Sequence, residues 1–210
     1  MTKWTKSEKA LFAKLNTPFR IQQYLDSLPY NIDKITRSPR QVIRSGKAHC
    51  FDAAIFAATV LQQHGHKPLL MDLRSTHEDD DHVLAIFKQA GHWGAIGKSN
   101  YTGCRYRDPV FRTLRELAIS YFVVYFNLAG TKTLREYSVP FDLRSVKDLD
   151  WHAGDEDLDV LSTRLDSIRH YNLITPRTEK LLAPADDRSF RAETIDLDPR
   201  GAFKVKGARI

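Results

Sequence analysis

Cysteine and methionine are scarce in this chain, with two of each among 210 residues. Cys50 and Cys104 are too few and too widely spaced for a disulfide framework or a CxxC metal pair. No stretch approaches the roughly 18 uninterrupted apolar residues of a membrane span. The basic opening, Met1 to Lys9, leads into no long apolar run and no small-residue cleavage site, so it does not read as a secretory leader. Internal repeats and low-complexity tracts are also missing. These absences point to the reducing cytoplasm and to no membrane attachment.

What is present suits one domain with a tail. Hydrophobic residues make up 42% and charged residues 28%, enough for a sizeable core. The net charge of +6 is moderate, and most basic residues are interspersed with acids. The exception is Arg105-Tyr106-Arg107, with Arg112 and Arg115 close behind. Basic residues interleaved with aromatics can bind nucleic acid or an anionic ligand. Such runs are more often a solvated face, and nucleic acid is not the expected partner.

In chain order, residues 7–15 read as a short helix capped by Ser7. Asn16-Thr17-Pro18 is a cap with proline at the first helical position, and Phe19, Ile21, Tyr24, Leu25 and Leu28 follow at helical spacing until Pro29. Tyr30 to Thr36 is a connection. Ser38-Pro39 repeats the cap signature and leads through Ser45-Gly46-Lys47-Ala48-His49 to Cys50, which opens an apolar, alanine-rich helix ending near Gly65. Strands are expected at Lys67–Arg74 and at His82–Lys88. The second turns at Gln89-Ala90-Gly91 into His92–Gly97. Thr113–Phe126 and Asp155–Ile168 are helix candidates, and Thr133–Val139 is a further strand. From residue 184 to 210 the chain is charged and proline-punctuated, so an extended or partly disordered tail is expected after a domain spanning 1–183. The pattern is α+β with an antiparallel sheet.

Cys50 carries the chemistry in this pattern. A thiol at a helix N-terminus meets unpaired backbone N–H groups and the positive end of the dipole, which favour thiolate and can hold an oxyanion. A cysteine nucleophile needs a base. His82, opening the second strand, is the best placed of the eight histidines. His49 adjoins Cys50, but adjacent side chains diverge, so it reads as a wall residue. His77 to His82 is a run of potential metal ligands without helical spacing and reads as a solvated acidic turn. Trp93 reads as core, and Cys104 as an ordinary thiol.

Gly46-Lys47-Ala48-His49-Cys50 with Ala53-Ala54, Ala57-Ala58, Leu61 and Gly65 resembles the nucleophile helix of the transglutaminase-like proteins, within the papain-like group. His82-Val83-Leu84-Ala85-Ile86-Phe87 resembles that family's histidine strand, and Trp93-Gly94-Ala95-Ile96 its next strand. The resemblance spans roughly residues 38–105. Gly97-Lys98-Ser99-Asn100-Tyr101 and Arg105–Val110 look like signatures of a little-characterised bacterial branch. It implies a papain-like fold, with the nucleophile helix packed on an antiparallel sheet and helical additions at both ends. It also implies Cys50 as nucleophile and His82 as base.

The family's third residue, an aspartate, is expected four positions after the tryptophan. Here that position is Gly97. Asn100 is the leading substitute to orient His82, with Ser99 and Asp108 behind it. The alternatives are a Cys–His dyad or a site that binds without turnover. The expected reaction is attack of Cys50 on an amide or acyl carbon of a peptide, protein or small amide, through a thioester, without metal or organic cofactor. The rival is a non-catalytic binding module that keeps the fold.

Overall fold

The computed structural model describes residues 3–33 and 35–210. Met1 and Thr2 of the basic opening, and Lys34 of the Tyr30–Thr36 connection, lie outside the described residues. Helices come first: α1 (Lys6–Lys14), α2 (Pro18–Ser27), α3 (Pro39–Ser45) and α4 (Cys50–Gln63). Each begins where a side chain satisfies an orphan amide. Thr5 and Ser38 form capping boxes with Glu8 and Gln41, and Thr17 caps α2 ahead of Pro18.

The strands β1 (Leu69–Arg74), β2 (His82–Gln89), β3 (His92–Ile96), β4 (Arg107–Phe111), β5 (Glu136–Ser138), β6 (Phe141–Asp142) and β7 (His170–Asn172) form one open sheet. Every pairing is antiparallel, in the order β4-β3-β2-β1-β5-β7, with β6 also on β1. The β2–β3 hairpin turns through Ala90 and Gly91 at φ 48° and 82°, the double positive φ of a type I′ turn. The architecture is α+β.

Helix α4 is buried along nearly its whole length, because Ala53, Ala54, Ala57 and Ala58 let it lie close on the sheet. Beneath it Val83, Ala85 and Phe87 of β2 face the first core. Leu84 and Ile86 face a second core on the other side of the sheet, with Tyr121 and Tyr125. The period-2 alternation of a strand makes this division. Both faces are covered, which is why β1 and β2 read as nearly continuous apolar runs.

Three expectations shift. The helix sought at 113–126 is α5 (Leu114–Ile119) followed by turns, and that at 155–168 is α6 (Val160–Ser167). The strand sought at 133–139 pairs only over Glu136–Ser138. The largest difference is the C-terminal segment. It follows α7 (Pro176–Glu179), contains α8 (Asp187–Glu193), and is docked rather than extended: Phe190 stacks on Phe126 with ring centroids 5.8 Å apart. Arg209 donates to the carbonyls of Ala129 and Ala185. Its polarity was a poor guide because its few apolar anchors, Ala185, Phe190, Leu197, Ala202 and Val205, are spaced without a period. Among the described residues no helix is long and apolar enough to cross a membrane.

Candidate active site

The end of the sheet near the start of α4 opens into a cavity of about 570 Å³. Cys50, His82 and Asn100 all line it, so the three residues singled out in the sequence share one cleft. Ser99 lines it too, while Asp108 does not appear on its wall.

Cys50 is the first residue of α4, half-buried and free. The preceding loop is held by Asp52, whose fully buried carboxylate accepts from the Arg37 amide (2.6 Å), the Asn31 carboxamide (3.1 Å) and the His49 amide (3.2 Å). His49 is the N-cap, its Nδ1 accepting from the Phe51 amide at 3.1 Å and its Nε2 3.3 Å from Asp52. His49 is thus committed to the helix start. Sequence reading overlooked Asp52, although His49-x-x-Asp52 has capping-box spacing.

The sulphur meets β2 at its edge. The Asp72 amide turns toward β5, donating to Ser138 Oγ at 2.9 Å, so Leu73 and His82 form the hydrogen-bonded pair and the Val83 amide points the other way. On that side the β2–β3 register ends at Ala85 and Ile96. The Val83 amide is left over beside Cys50, and it and the Phe51 amide, whose hydrogen bond goes to His49, favour thiolate. Burial outweighs them and, helped by the Asp52 and Asp80 charges, pushes the thiol up to about 12.

His82 is buried, and by strand alternation its ring belongs with Leu84 on the face away from α4, 6.4 Å from the Tyr125 ring. Burial is the main cause pushing it down to about 4, with the Arg107 charge adding to it and the Cys104 carbonyl opposing it. Cys50 and His82 therefore reach the same strand end from opposite faces of the sheet, and both rest uncharged near neutral pH. No hydrogen bond joins them; such bonds often tighten only with substrate in place. Nε2 is enclosed without a hydrogen bond of ordinary geometry, an arrangement that costs about 1–3 kcal/mol.

Asn100 does not turn to His82. Its amide donates to the Asp198 carbonyl at 2.8 Å, and its oxygen accepts from the Asp198 amide at 2.9 Å. Gly97 does face the ring: a Cβ there would stand 3.2 Å from His82 Nε2. The residue counted from Trp93 thus occupies the place beside the imidazole, with no side chain to fill it. The C-terminal segment contributes Arg200 to Phe203 to the cavity wall, a participation that local sequence pattern does not signal.

Much of the wall is acidic, with Asp33, Asp72, Asp79, Asp80, Asp81, Asp159 and Asp166. Burial pushes Asp79 and Asp81 up to about 6. Asp72, Asp81 and Asp166 each place a carboxylate oxygen within 4.8 Å of the others, the group best disposed toward a cation among the described residues. Asp72 is already paired with His170 Nε2 at 3.0 Å, and only Asp81 belongs to the expected 77–82 run. The arginines of the basic patch are largely tied up internally. Arg105 reaches Asp26 at 3.2 Å, Arg107 bonds Ser120 and lies over Tyr121, and Arg115 donates to the Leu173 carbonyl.

The chain matches no protein-family model and no curated protein.

Proposed function

We propose that this chain is a cysteine enzyme of transglutaminase-like type, attacking an amide or related acyl carbon through Cys50. The observation that carries this reading is the placement of Cys50: first residue of a buried helix, on the wall of the large cavity, where the Val83 and Phe51 amides favour its thiolate. Because thiol and imidazole rest neutral, the proton leaves sulphur as the bond to the acyl carbon forms, with His82 receiving it. The amides at the helix start hold the developing oxyanion. His82 then returns the proton to the leaving amine, and a thioester remains. Water releases it as a hydrolysis product, and a second amine releases it as a transferred acyl group. The same residues serve either outcome.

One observation favours the rival binding module: a glycine stands beside His82 where a carboxylate would hold the imidazolium. An acyl-transfer experiment separates the two. The chain is incubated with p-nitrophenyl acetate and digested, and the site of acetylation is read by mass spectrometry. Acetyl on Cys50, lost in His82→Ala, is the expected result. No acylation of Cys50, or acylation indifferent to His82, leaves the binding module as the reading.

A further inference from the structure

The family pattern puts an acidic side chain beside the base, and here that place is empty of one. The backbone of Gly97 cannot take over, because Gln22 of α2 holds both its polar groups. The Gln22 carboxamide donates to the Gly97 carbonyl at 2.8 Å, and its oxygen accepts from the Gly97 amide at 3.2 Å. The Tyr125 hydroxyl is spent on the carbonyls of Leu73 and Asp80, and Asn100 on Asp198. Nε2 and the main-chain carbonyl of Cys104 both border the space of the missing side chain: a Cβ on Gly97 would stand 3.2 Å from Nε2 and 3.4 Å from that oxygen.

We infer that the Cys104 carbonyl is the group that orients His82, accepting the Nε2 proton and leaving Nδ1 to receive the proton of Cys50, and that Gly97 is favoured because a Cβ there would crowd both the ring and Leu84. The inference rests on the proposed reading of Cys50 and His82. The buried Nε2 needs an acceptor, and a carbonyl fixes the tautomer without adding charge. That agrees with a base that rests neutral in this pocket. Space is short on the other side as well, since the same Cβ would lie 2.6 Å from Leu84 Cδ2.

The carbonyl is held by the C-terminal segment. Glu193 accepts from the Gly103 amide through its carboxylate and from the Thr102 amide through its carbonyl. Asp198 clamps Asn100. The Cys104 thiol adds a 3.8 Å contact to the Val124 carbonyl. The 184–210 segment thus acts on the site through the 99–105 loop, and Cys104 is a positioning residue through its backbone.

The tautomer of His82 tests this without any substitution. In a histidine-15N spectrum at pH 7, with His82 assigned by His82→Gln, the expected form carries its proton on Nε2. An Nδ1-protonated or rapidly interconverting ring overturns the inference. A second test restores the carboxylate. Leu84→Ala makes room, and Leu84→Ala/Gly97→Asp is compared with it. The titratable and charged groups around His82 are Cys104, Arg107, Tyr125 and the aspartates 79–81. These are the same in both variants. If a neutral carbonyl fills the orienting role, an aspartate there raises the pH at which His82 charges by about one unit and speeds Cys50 alkylation by iodoacetamide at pH 7 about tenfold. An unchanged pH profile overturns the inference. The parent reading fails separately, if His82→Ala leaves alkylation of Cys50 unaltered.

Discussion

The side chain of Asn100 and the backbone of Asp198 exchange two hydrogen bonds, of 2.8 and 2.9 Å, across 98 residues of chain. This clamp holds the C-terminal segment against the loop that borders the cavity. Removing it leaves backbone groups of Asp198 without partners. Asn100→Ala should lower stability by about 1–3 kcal/mol, and truncation after Ala183 by more, since it also removes Phe190 and Arg209 from their sites. Denaturant melts check both. A truncated chain as stable as the full one would show that the segment is merely laid on the surface.

Asp52 decides where α4 begins. Its carboxylate accepts three hydrogen bonds in a fully buried site, and Asp52→Ala would orphan those donors. A loss of roughly 3 kcal/mol is expected, with Asp52→Asn costing less because an acceptor survives. Urea unfolding measures the difference. Equal losses in the two variants would mean that the charge, rather than the hydrogen bonds, holds the loop.

Acid should weaken the fold through His82. Its folded pKa is pushed from 6.5 to about 4, so the unfolded chain binds the extra proton first. The contribution is whole above the unfolded value and lost as pH falls from 6.5 toward 4. It amounts to about 3 kcal/mol at most. Asp79 and Asp81, pushed up to about 6, act oppositely: their contribution is lost as pH rises from 3.8 toward 6. One histidine against two aspartates leaves a wild-type profile that slopes down gently from pH 4 toward 6. In His82→Gln the downward slope toward neutral pH should be about twice as steep. An identical slope in both proteins would place His82 in contact with solvent.

Alkali should act through Cys50. With the thiol pushed from 9.0 to about 12, the unfolded chain loses its proton first, and stability falls as pH rises through that window. Cys50→Ala should flatten the alkaline limb, and iodoacetamide should modify Cys50 slowly near pH 7. Rapid alkylation at neutral pH would show a thiolate already formed, and the amides of Val83 and Phe51 would then outweigh burial.

Much of the local structure was legible because it is decided by neighbours in sequence. Thr17-Pro18 and Ser38-Pro39 cap helices wherever they occur, and Ala90-Gly91 turns a hairpin on its own backbone preferences. Cys50 at the head of an alanine-rich helix was readable for the same reason, as was the α+β order of the elements. Asn100 shows where that logic stops. Its carboxamide had two candidate partners, and only the path of residues 184–210 across the loop assigned it to Asp198 rather than His82. The same holds for Gly97. Counting from Trp93 found the position beside the imidazole, but its meaning lay in what surrounds the gap: Gln22 on its backbone, Leu84 at its Cα, the Cys104 carbonyl beyond. The sequence by itself determined the capped helices, the hairpin and the residue types at the site. The tertiary structure decided which polar group meets which, because a hydrogen bond spans about 3 Å and its partner is chosen by folding, not by order along the chain.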